Sequence, residues 1–85
     1  MPPTPEAAAR AVEAHRDRFR PTPGRWWITV AEATRLAGWR RQYTHRLIAA
    51  GVIERRNYRS RTGRPHARVN GADVVAILRS GAPPR

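Results

Sequence analysis

The sequence predicts a small α+β domain, mostly helical, on three observations. Two segments with helical apolar spacing, one ending at Gly38 and one running over roughly 40–50, are joined only by "GWR". A basic segment, "ERRNYRSRTGRPHAR" (54–68), holds six arginines among its fifteen residues, yet it lies between apolar runs and not at an end of the chain. A last helical pattern, "NGADVVAILRSG", follows it.

The first element is an N-terminal helix over "TPEAAARAVEAHRDRFR". Thr4 is placed to cap it, Pro5 suits a first helical position whose N–H needs no partner, and the Glu6 carboxylate favours the positive end of the helix dipole. Ala8, Val12, His15 and Phe19 share one face, but only Val12 and Phe19 have bulk, so the stripe is thin. "RPTPGR" (20–25) then breaks the helix with two prolines and a glycine. The flanks are expected to add little to the core, with this helix docking on it: residues 1–25 form a helix and Pro-rich linker, 26–80 the folded domain, and 81–85 a tail.

Trp26 to Ile28 read as a short extended segment. Adjacent side chains of extended backbone point to opposite sides, so one of Trp26 and Trp27 is expected inside and the other exposed. Thr29 followed by Glu32 has the spacing of a capping box, at the head of the apolar run Val30, Ala33, Leu36, Ala37. Gly38 stands where a left-handed residue ends a helix. Trp39 falls at the buried position of the turn. The second helix turns Tyr43 or Thr44, Leu47 and Ile48 inward and stops at Gly51. Two short helices joined by three residues containing a glycine match a helix-turn-helix. Val52, Ile53 and Val69 are strand-like, Tyr58 is a strand former, and Thr62-Gly63 suits a hairpin tip. Asn70 then caps a closing helix with Asp73 in its first turn, Val74, Ile77 and Leu78 buried, and Gly81 at its end. A basic hairpin after a helix-turn-helix reads as a wing, and the whole as a winged helix-turn-helix.

Charge gives the first indication of function. The 85 residues carry a net charge of +11, and all 17 basic residues are arginine. A GC-rich coding sequence would produce that bias, but the guanidinium fork also pairs bidentately with phosphate or guanine. Arg40, Arg41 and Arg46 contribute +3, and the six arginines of 54–68 less Glu54 contribute +5, so eight of the eleven net charges fall between 40 and 70. A polyanionic partner, most simply nucleic acid, is expected. There is no cysteine, which removes disulfides and thiolate metal sites. His15, His45 and His66 lack metal-ligand spacing. The six acidic residues are scattered, with Glu6, Glu32 and Asp73 best explained by helix starts, so neither an enzyme nor a cofactor is expected. No run reaches the roughly 18 apolar residues of a membrane span, and no secretory leader is recognisable. A cytoplasmic protein is expected.

The run "ITVAEATRLAGWRRQYTHRLIAAGVI", the basic hairpin and "VNGADVVAILR" resemble the winged helix-turn-helix of phage excisionases and MerR-like regulators. The shared pattern is a Thr-capped "VAEA" helix, an "AG" turn, a basic "RxxxxRLIxxG" helix, a wing and a closing "ADVVAIL" helix, over residues 28–79. Trp39 and Arg40 depart from it, where a smaller aliphatic residue and a Ser or Thr cap are usual. The sequence stops at Arg85 without the long dimerisation helix and effector domain of full MerR regulators, so sensing of a small molecule or metal is not expected.

The resemblance implies that the helix after the turn enters the major groove of double-stranded DNA while the wing contacts an adjacent minor groove or phosphates. On the helix this places Arg40, Arg41, Gln42, Tyr43, His45 and Arg46. Arg41 and Gln42 are the candidates for base edges, through guanine O6/N7 and adenine N6/N7. Arg40 and Arg46 suit phosphates as well. Tyr43 either contacts DNA or fills the core beside Leu47. On the wing the candidates are Arg55, Arg56, Arg59, Arg61, Arg64 and Arg68. The expected role is transcription regulation or direction of site-specific recombination, associated with the nucleoid, with further copies of the chain, a recombinase or a transcription protein as partners. Two other readings are an RNA-binding basic protein and an adaptor that docks an acidic protein through Trp26 or Trp27 and the N-terminal helix.

Overall fold

A computed structural model describes residues 4–16 and 25–80. Its elements run α1 (Pro5–Glu13), β1 (Trp27–Thr29), α2 (Val30–Ala37), α3 (Arg41–Ala49), β2 (Arg55–Arg59), β3 (Pro65–Asn70) and α4 (Gly71–Arg79). The architecture is α+β: four helices and one antiparallel sheet of three strands. None of the described helices is long and apolar enough to cross a membrane.

The local signals act as their chemistry requires. Thr4 accepts the Ala7 N–H at 3.2 Å. The Thr29 hydroxyl accepts the Glu32 N–H at 3.0 Å while Glu32 accepts the Thr29 N–H at 3.1 Å, closing the capping box. Asn70 accepts the Ala72 N–H at 3.1 Å. Gly38 (φ 72°) and Gly51 (φ 75°) turn left-handed after α2 and α3. Only α3 starts without a side-chain cap, since Arg40 has no acceptor to offer.

The sheet order is β1-β3-β2, so the last strand in the chain is central. β3 pairs with β2 as a hairpin and with β1 through Ile28↔Val69 and its neighbours. Ile28 and Val69 face the core with Ala33 and Ala37 of α2, Trp39, Ile53, and Val74, Val75 and Leu78 of α4. The base of the hairpin is tied to α4: the Glu54 N–H donates to Asp73 Oδ2 at 2.8 Å, and the Asn70 N–H to the Glu54 carbonyl at 3.0 Å.

Several expectations are corrected. Helix α1 ends at Glu13, not near 20; Phe19, most of the Pro-rich linker, Gly81 and the tail lie outside the described residues. α1 docks more deeply than its thin stripe suggests, supplying Ala8, Ala9 and Val12 to the core, all at most 1% exposed. It packs on α4 and α2. The stripe looked thin because alanine has little bulk, but small side chains are what let two helices approach closely. Both tryptophans are buried, Trp26 at 5% exposed and Trp27 at 1%. Trp26 joins the core and its indole N–H donates to the Val12 carbonyl at 3.3 Å. Trp27 is covered instead by the hairpin, with the Arg56 guanidinium 4.8 Å from its ring centre and Tyr58 edge-on at 6.5 Å.

At the helix pair, Thr44 is the fully buried residue and Tyr43 is half-buried. The Thr44 and Thr34 hydroxyls lie 2.9 Å apart, and Thr34 donates to the Val30 carbonyl at 2.8 Å, so the α2–α3 seam is polar but satisfied. Trp39 is buried, edge-on to Tyr43 at 5.3 Å. Val52 is exposed and precedes the strand, which starts at Arg55, whereas Ile53 is buried. In α4, Val75 is buried and Ile77 only half-buried.

Candidate nucleic-acid interface

Helix α3 buries Thr44 and half-buries Tyr43, Leu47 and Ile48, which leaves Arg40, Arg41, Gln42, His45 and Arg46 exposed on the opposite side. The helical period brings Arg41, Gln42, His45, Arg46 and Ala49 along one shallow groove of about 490 Å³. Tyr43 of the candidate set turns away from this groove and packs on Trp39.

The hairpin arranges its arginines by strand alternation. Arg55 and Arg59 flank Asn57 on one face, and Arg55 donates to Asn57 Oδ1 at 3.2 Å. Arg56 lies on the other face, directly opposite Arg68 in the register. Two like charges at such a pair repel; Arg56 is held there by the Trp27 ring. The turn at the tip is closed by Ser60, whose N–H donates to the Arg64 carbonyl and whose carbonyl accepts the Gly63 N–H, both at 2.9 Å. Gly63 adopts φ 82°, a conformation that favours glycine. Arg59, Arg61 and Arg64 are exposed around this tip.

The two halves meet in a second groove, of about 670 Å³, between the start of α2, α3 and the outer part of β3. It brings Arg41 and His45 together with Arg68, joining the candidate sets of helix and hairpin. It also brings in Arg35, Thr34 and His66, which the sequence reading did not place at the interface. His66 and Arg68 are two apart on one strand, a spacing that was visible in the sequence. Arg35 was not recoverable that way, because its place depends on how α2 packs against α3. Arg40 and the tip arginines line neither groove.

No carboxylate lines either groove. The described acidic residues are occupied elsewhere. Arg79 spans α1, reaching Glu13 Oε1 at 2.7 Å and Glu6 Oε1 at 3.1 Å. Its hydrogen bonds hold the Glu6 carboxyl below the usual range, with the Arg79 and Arg10 charges assisting. Glu54 faces Arg25 at 3.4 Å, Asp73 accepts the Glu54 N–H, and Glu32 serves its own cap with His15 Nδ1 3.7 Å away. Among the described residues, the acidic side chains thus sit on the α1–α4 side, at the start of α2 and at the hairpin base, and none lines the α3–hairpin grooves.

Comparison of the chain with protein-family models, curated proteins and solved structures finds no match.

Proposed function

We propose that this chain is a winged helix that binds double-stranded DNA, with α3 in the major groove and the β2–β3 hairpin as a wing on the adjacent backbone or minor groove. The observation that carries the reading is the continuous basic surface of α3 and hairpin, joined at Arg41, His45 and Arg68 and free of carboxylates at its grooves. Pairing of the strand before the helix pair with the return strand of the hairpin supports it, since it anchors the hairpin beside α3. Phosphate contacts from the arginines supply affinity, and Arg41 and Gln42 read base edges. One such module offers few base contacts, so tight specificity calls for several copies side by side. The biological role is transcription regulation or recombination directionality in the excisionase manner, in the cytoplasm on DNA.

The test is selection from random duplexes, followed by anisotropy titrations across salt. A specific reader enriches a site bound roughly a thousandfold more tightly than bulk duplex. Arg41→Ala with Gln42→Ala flattens that preference, at about 1–3 kcal/mol for each contact. Arg61→Ala with Arg64→Ala weakens all duplexes alike and lowers the salt slope by about one per lost phosphate contact. Salt-sensitive binding with no enriched site, or equal binding to A-form RNA, whose narrow major groove excludes a helix, overturns the reading.

A further inference from the structure

The groove between α2, α3 and β3 carries more positive charge than structural packing requires. Elsewhere this fold pairs its structural arginines: Arg79 with Glu6 and Glu13, Arg25 with Glu54, and Arg56 with the Trp27 ring. In the groove, Arg35 from α2, Arg41 and His45 from α3, and His66 and Arg68 from β3 face one space. Among the described residues, the side chains of Arg35, Arg41, His45 and His66 have no hydrogen-bond or ion-pair partner. Crowding Arg35 and Arg41 in one groove with no carboxylate in its lining creates a local potential that favours an anion. The Thr34 hydroxyl is already committed to Val30 and Thr44, so the cationic groups provide the available donors.

Resting on the DNA-binding reading, we infer that this groove seats a backbone phosphodiester of the bound duplex, with Arg35 as an anchor outside both α3 and the wing and with Arg41 beside it on α3. The groove lies between the helix and the hairpin, where the strand running from one DNA groove to the next passes. A phosphodiester is a permanent anion, matched to guanidinium donors. The groove is lined by Arg35 on α2, Arg41 and His45 on α3, and His66 and Arg68 on β3, with no carboxylate among its lining residues. His15 lies instead beside Glu32 at the α1–α2 junction.

The experiment titrates the full chain with a duplex at several salt concentrations, for wild type, Arg35→Ala and Arg35→Lys. Circular dichroism confirms that each is folded, as exposed Arg35 permits. Arg35→Ala is expected to bind about tenfold more weakly, with a salt slope lower by about one; Arg35→Lys recovers the slope. The inference is overturned if Arg35→Ala keeps the wild-type affinity and slope. The DNA reading then still stands, provided Arg41→Ala/Gln42→Ala weakens binding. Absence of duplex binding by wild type overturns both.

Discussion

Gly71 shows how one residue can be fixed by a contact far away in sequence. A Cβ at this position would overlap Nε1, Cε2 and Cδ1 of the Trp26 indole. The Gly71 N–H also donates to the Trp26 carbonyl at 2.7 Å. Trp26 cannot step aside freely, because it is buried and its indole N–H holds the Val12 carbonyl of α1. Gly71→Ala is therefore expected to destabilise the fold by about 1–3 kcal/mol through overpacking, although alanine is the better helix former. Urea unfolding measures it. An unchanged midpoint would mean that the indole relocates without cost. Thr44 makes the complementary point, since a buried polar side chain is tolerated where a facing hydroxyl satisfies it.

Among elements, α1 is the one whose attachment responds to pH. Arg79 of α4 forks onto two carboxylates of α1, Glu6 and Glu13, one turn and more apart. The folded Glu6 carboxyl is held below its ordinary value, first by the Arg79 hydrogen bonds. Its contribution is thus present above the unfolded value of about 4.3 and is lost as the pH falls through the lower folded value. These groups are on the surface, so the effect is modest and screened by salt. Glu6→Gln is expected to lower the melting midpoint slightly at pH 7, with the difference vanishing as the pH falls through the folded value, where wild type loses the same interaction. Thermal unfolding of both proteins across that range decides it; a difference that persists in acid would show that Glu6 acts through packing and not through charge. The hairpin is held in the opposite way, by Trp27 beneath Arg56 and by Asp73 at its base, and Arg59, Arg61 and Arg64 at its tip stay exposed.

The whole molecule is one folding unit that spans both ends of the described chain, with its charge divided between two sides. α1 closes the core over α4 and α2, and its partner side holds most of the ion pairs. A chain of this size has only about 5–10 kcal/mol of stability, and small domains bury little surface to spare. Deleting residues 1–16 uncovers Trp26 and the α4 stripe, and is expected to abolish cooperative unfolding. Near-ultraviolet dichroism and a urea titration test this; a cooperative transition in the truncated protein would show that α1 is an accessory and not part of the core. If α1 is needed for folding, loss of DNA binding on truncation reports loss of the fold, so binding tests belong on the full chain.

By itself the sequence determined the helix starts, the stops of α2 and α3, the hairpin and its tip, the helix pair, and the side of α3 that carries arginine. These rest on local chemistry: Thr29 with Glu32, Gly38, Gly51, Gly63 and Asn70 each act within about one turn of themselves, and the helical period sorts Arg41, Gln42, His45 and Arg46 from Thr44. The docking of α1, the burial of both tryptophans, the pairing of β1 with β3 and the groove that brings Arg35 and His66 beside Arg41 and Arg68 were decided only by tertiary structure. Each depends on two surfaces distant in the chain meeting in one register. Alanines that looked too small to hold a helix and a tryptophan that looked destined for solvent acquire their roles only from what packs against them.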